Sequence, residues 1–124
     1  MIEDIRRRIR YALEHGADGF TARVDWEAMP NHSAFDTINA LNVYASAMLS
    51  LNVELPAQEI YYAWLSEYGL FQPGLSEEEK YQCIRRMMEY TEPAWEIMRR
   101  TCYINDYLFS SNSKIPADIR HGMF

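Results

Sequence analysis

The chain has 124 residues, 48% of them apolar and 14% aromatic, with five Gly and five Pro. That composition fits one domain able to bury its own core and excludes a disordered or low-complexity chain. Net charge is −6, no apolar run reaches the length of a membrane span, and the opening MIEDIRRRIR lacks the apolar stretch of a secretory leader. Cys83 and Cys102 are the only cysteines and form no CxxC, so reduced thiols in a cytoplasmic protein are expected.

The charge is unevenly distributed. From Tyr11 to Glu79 eleven acids face one base, Arg23, for −10, while the remaining seven acids and eleven bases give +4. An acidic surface of this kind keeps a protein soluble and also steers it toward a basic partner.

A first helix is expected from Ile2 to His15, with Ile2, Ile5, Ile9, Ala12 and Leu13 on one face and Gly16 as the stop. Arg6, Arg7, Arg8 and Arg10 resemble a nucleic-acid patch. Their i, i+4 relations to acids (Glu3–Arg7, Asp4–Arg8, Arg10–Glu14) read instead as a salt-laced solvent face. Residues 20–26, FTARVDW, alternate with the period of a strand. They either pair weakly with LNVEL at 51–55 or lie extended over the helices. A second helix is expected from Ser33, with Asp36 three residues on as a capping box, to about Ser50. Ile38, Leu41, Ala45, Met48 and Leu49 form its main apolar face, and Ala40, Val43 and Ala47 form another, which predicts a central helix packed on two sides.

Pro56 suits the first turn of a third helix that Gly69 ends. Its sequence, AQEIYYAWLSEYG, holds four aromatics. Stepping 100° per residue puts Ala57, Ile60, Tyr61, Trp64, Leu65 and Tyr68 on the core side and leaves Tyr62 opposite, near Glu59 and Ser66. Ser76 with Glu79 is a full S-x-x-E box for a fourth helix over about Glu77 to Tyr90, with Tyr81, Ile84, Met87 and Met88 inward. Thr91 is expected to cap a fifth helix that has Pro93 in its first turn and runs to about Phe109. Residues 110–124 read as a polar loop, one short helical turn and a tail. The fold class expected is thus all-α: one domain over residues 1–124, a bundle of about five helices with a minor strand pair at most.

No motif fixes a chemistry. HExxH, GxSxG, a P-loop and GxGxxG are all missing, and His15, His32 and His121 share no metal spacing. His15 suits a helix C-terminus, and Glu77–Glu79 suit a helix N-terminus. HGADG at 15–19 reads as a turn, and both cysteines read as core or half-core thiols. No catalytic residue, cofactor site or metal ligand is therefore assigned.

What remains is an excess of Tyr and Trp, which dominate binding hot spots. An acidic helical chain of this kind reads as a non-enzymatic binder that docks on a basic partner protein and inhibits or regulates it. Glu59, Tyr62, Ser66 and Glu67 are the expected contact residues. Toxin-neutralising immunity proteins, phage-encoded inhibitors of bacterial defence complexes and small adaptors resemble this profile, in composition and not in any motif. The resemblance implies a nucleic-acid-handling target. Two alternatives compete. A helix-turn-helix regulator over residues 34–68 would read DNA with helix 57–68, yet that helix has Glu59 and Glu67 and no Lys or Arg. Its phosphate contacts would have to come from Arg6 to Arg10 or from Arg85, Arg86, Arg99 and Arg100. A small acid–base enzyme would need carboxylates brought together by the fold.

Overall fold

A computed structural model describes residues 1–21, 34–104 and 107–108, with the backbone alone described beyond Thr101. The fold is mainly α, as expected. The elements are α1 (Ile2–Glu14), a 3₁₀ turn (Ala34–Asp36), α2 (Asn39–Leu51), α3 (Ala57–Glu67), α4 (Glu77–Thr91) and α5 (Ala94–Cys102). Two short strands follow, β1 (Tyr103–Ile104) and β2 (Tyr107–Leu108), paired antiparallel with Tyr103 opposite Leu108. The chain divides into two compact units, Met1–Glu92 and Pro93–Phe124.

In the first unit α2 packs against both α1 and α3, and α3 packs against α4. Leu41, Ala45 and Leu49 of α2 are buried with Ile2 of α1, Ile60, Tyr61, Trp64 and Leu65 of α3, and Ile84 of α4. Ala40, from the second apolar side of α2, is buried too. That side fades toward the C-terminus, where Ala47 is exposed and Leu51 is 85% exposed. Gly16 follows α1 at φ 81° and Gly69 follows α3 at φ 63°, left-handed values that side chains with a Cβ rarely adopt.

Several local expectations are corrected. Residues 51–55 are not a strand: Leu51 ends α2, and Leu55 N–H closes a turn onto Asn52 O. Residues 22–26 and Ser33, the other halves of the expected strand pair and capping box, lie outside the described residues. Asp36 ends the 3₁₀ turn rather than entering a helix, and α2 starts only at Asn39. The start signal is Thr37, whose Oγ1 donates to Ala34 O and accepts from Asn39 N–H. Thr91 closes α4 rather than capping α5, because its hydroxyl is committed to Met87 O. α5 ends at Cys102, where the chain turns into β1 instead of continuing to Phe109. Cys83 is exposed, not core, and Tyr81 and Leu13 are 38% and 53% exposed.

Of the three arginine pairs expected along α1, only Asp4–Arg8 forms among the described residues. Asp4 takes both Arg7 and Arg8, and Glu3 pairs with Arg6. Arg10 reaches across to Glu54, not along the helix to Glu14. Arg6 lies along the protein and donates to Val53 O and Leu55 O, which fixes α1 to the α2–α3 connection.

α1 has no side-chain cap of its own. The cap comes from Glu92, just past the end of α4. Its carboxylate accepts from the Met1 ammonium at 2.7 Å, from Ile2 N–H at 3.2 Å and from Glu3 N–H at 3.3 Å. The Tyr61 hydroxyl of α3 donates to the same carboxylate at 3.0 Å and lies 2.5 Å from Thr91 Oγ1. Burial alone would raise the Glu92 carboxyl. The hydrogen-bonded, charged ammonium, with help from Tyr61 and Glu3 N–H, overcomes burial and holds it below its usual range. Burial pushes the Tyr61 hydroxyl up, and the Glu92 charge adds to the effect.

Because Glu92 is depressed in the folded chain, its stabilisation is complete above the unfolded value of about 4.3 and is lost as pH falls through the lower folded value. Glu92→Gln is expected to lower the unfolding free energy at neutral pH by about 2 kcal/mol. It should also flatten the acid limb of the stability profile below about pH 4.3. Urea unfolding across pH reads both effects, and an unchanged acid limb would deny Glu92 this role.

Candidate functional site

α3 starts after Pro56, whose extended ψ of 138° opens the helix. Its inner face runs through Ala57, Ile60, Tyr61, Trp64 and Leu65, all buried. Of the expected contact residues, Glu59, Ser66 and Glu67 are exposed on its outer side. Tyr62 is half-buried against the core.

The outlier among the four aromatics is Tyr68, not Tyr62. Expected on the core side, Tyr68 is 55% exposed. The 100° step fails there because α3 ends at Glu67, and Tyr68 is its C-cap with φ −88° and ψ 3°. Leu70, just beyond, is 54% exposed.

Two aromatic clusters flank this outer side. In the first, Tyr68 meets Trp64 at 5.9 Å between ring centroids and Tyr44 of α2 edge-on at 6.4 Å. Tyr44 donates its hydroxyl to Glu67 Oε2 at 2.9 Å, and burial together with this bond raises its pKa. Trp64 Nε1, and Asn42 Oδ1 on α2, are buried with no hydrogen-bond partner among the described residues.

The second cluster joins α3 to α4. The Tyr62 ring meets Phe71 at 5.7 Å and Tyr81 at 5.5 Å between centroids. Its hydroxyl donates to Glu77 Oε2 at 2.8 Å, and this bond raises the Tyr62 pKa. The Lys80 ammonium donates to Glu77 Oε1 at 2.6 Å and sits 6.0 Å from the Tyr62 centroid and 5.8 Å from that of Phe71. The Lys80 and Tyr62 bonds together lower the Glu77 carboxyl, and Glu77 in turn raises Lys80. Tyr62 is thus turned toward α4. Sequence reasoning passed over Tyr44, Phe71 and Lys80, and placed Glu77 in the first turn of α4 without its partners. A usable signal existed for Glu77, because the capping box of Ser76 and Glu79 fixes it in the first turn of α4, facing the connection from α3.

The charges are largely committed. Glu54 serves Arg10, Glu78 serves Arg85, and Glu79 caps Ser76 N–H and hydroxyl. In the second unit Glu96 takes Arg99 and Arg100, which push its carboxyl down to about 2. Among the described cations only Arg86 has no carboxylate partner. His15 caps α1, stacks on Tyr11 at 4.0 Å and places Nδ1 against Tyr11 O. Among the described residues no group of three His, Cys, Asp or Glu is placed to hold a metal ion, and no helix is long and apolar enough to cross a membrane. A cleft of about 650 Å³ opens between α1, α2 and residues 17–20; Arg8 and Asp18 are the only charged side chains in its described lining.

No known family, no curated protein and no solved structure matches this chain.

Tyr62 and Tyr68 should differ in what they contribute to stability. Tyr62→Ala is expected to cost about 2 kcal/mol through lost ring packing between α3 and α4. Tyr68→Ala should cost less than about 1 kcal/mol. Chemical denaturation reads the pair, and a larger loss at Tyr68 would reverse the assignment.

Proposed function

We propose that this chain is a non-enzymatic binding protein that docks on the basic surface of a partner protein through the outer side of α3 and so inhibits or regulates it. The observation that carries the reading is the make-up of that side. Glu59, Ser66 and Glu67 are exposed along α3, Tyr68 and Leu70 are exposed where the helix ends, and α3 contains no Lys or Arg. Carboxylates around aromatic and aliphatic area suit a hot spot with a charged rim. They also speed encounter with a basic surface.

Proteins that handle nucleic acid present such basic surfaces. An inhibitor of a nucleic-acid-handling complex, of the anti-defence or immunity kind, is the specific form of this proposal. A cytoplasmic setting fits it, since Cys83 is an exposed free thiol. The DNA-regulator reading is weakened by the ion pairs of Arg6, Arg7, Arg8, Arg10, Arg85, Arg99 and Arg100, which already occupy the cations that phosphate contacts would need.

The test is affinity capture at low and high salt with the wild-type chain and with Glu59→Lys/Glu67→Lys. A basic protein should be retained at low salt and released at high salt. The double variant should bind at least about tenfold more weakly with an unchanged melting temperature. Retention of no basic protein, or equal retention by the double variant, would overturn the proposal.

A further inference from the structure

The cluster between α3 and α4 has the parts of a cation box. Tyr62 and Phe71 present aromatic faces, Tyr81 packs against Tyr62, and Glu77 supplies the negative charge. Such boxes attract an ammonium through the ring quadrupole within about 6 Å of the centroid. The ammonium present is the chain's own Lys80, at 6.0 Å from Tyr62 and 5.8 Å from Phe71. It sits at the outer edge of that range, held by its 2.6 Å bond to Glu77 rather than seated on either ring.

Glu77 has a second task. One oxygen holds Lys80 and the other accepts from the Tyr62 hydroxyl, so the carboxylate orients the ring that forms one wall. The Glu77 side chain is 63% exposed and that of Lys80 is 25% exposed, so the box opens to solvent on the carboxylate side.

We infer that Tyr62, Phe71, Tyr81 and Glu77 form a receptor for an alkylammonium group, such as a lysine side chain of a basic partner, and that Lys80 occupies it as an intramolecular competitor. This deepens the proposed docking on a basic protein and rests on that reading for the source of the cation. The chemistry can be tested without any partner. An incoming ammonium takes the place of Lys80 against Glu77 and over the two rings, and Lys80 swings into solvent on its flexible stem.

The probe is N-acetyl-lysine methylamide, unmodified and trimethylated, titrated into the full chain while the ring resonances of Tyr62, Phe71 and Tyr81 are followed by NMR. Lys80→Met keeps the aliphatic stem and removes the competitor, and Lys80→Gln is the second variant should the first disturb α4. Both variants should bind the probe about tenfold more tightly than the wild-type chain. Adding Glu77→Gln should abolish the gain. The neutral analogue N-acetyl-norleucine methylamide should leave the rings unmoved. The inference is overturned if the Lys80 variants bind no more tightly than wild type, or if the neutral analogue binds as well as the ammonium. Probe failure alongside salt-sensitive capture of a basic protein would remove the box and leave the docking proposal standing. Probe binding with no captured partner would do the reverse.

Discussion

The first unit depends on one carboxylate. A helix start leaves backbone N–H groups without partners, and α1 has no side chain of its own to meet them. Glu92 meets them from the far end of the unit, accepting from Ile2 and Glu3 N–H and from the Met1 ammonium. The same carboxylate takes the hydroxyl of Tyr61 from α3. Three helices therefore meet at one charged group, next to Ile2 and Tyr61, which are both fully buried. A half-buried carboxylate is costly unless it is paired and hydrogen-bonded. Here the ammonium and three further donors satisfy it. Hydrogen bonds to successive backbone N–H groups fix the register of α1. Arg6, bonded to Val53 O and Leu55 O, ties α1 down at a second place.

Part of the lopsided charge is paired within the chain. Glu54, Glu77 and Glu78 are paired with Arg10, Lys80 and Arg85. Exposed pairs of this kind add little stability each. Their effect is to remove both signs from the field that another molecule would feel. Glu67 accepts from the neutral Tyr44 hydroxyl and Glu79 from neutral Ser76, and neither these two nor Glu59 has a cation partner among the described residues. α3 therefore carries two exposed carboxylates and no cation of its own.

Elements governed by local rules were legible in the sequence. The capping box at Ser76 and Glu79 sets the start of α4 as its residues predict. Gly16 and Gly69 follow the ends of α1 and α3, and the inner face of α3 follows the 100° step as far as the helix lasts. What escaped is long-range or terminal. Glu92 bonds to residues about ninety positions away, and no local pattern can announce that. Tyr68 was misplaced because a helical step was extended past the residue where the helix stops. Within the site, exposure of Glu59, Ser66 and Glu67 followed from periodicity. The turning of Tyr62 toward Glu77 did not, because it depends on how the connection through Phe71 folds back.

That turn alters what a tyrosine at position 62 can contribute. An exposed anchor must give up side-chain freedom when it binds, at a cost of about 0.5–1.5 kcal/mol for a rotamer-rich side chain. Tyr62 has already given it up to Phe71, Tyr81 and Glu77. Its ring is therefore preorganised, but it is shared with an ammonium tethered a short distance along the chain. A tethered competitor acts at an effective concentration of the order of millimolar. A lone free cation would rarely displace it. Under the proposed docking, a partner that also contacted Glu59 and Glu67 would hold its cation near the box and compete at a comparable effective concentration. Discrimination would then come from the pattern of several groups on one surface and not from charge alone.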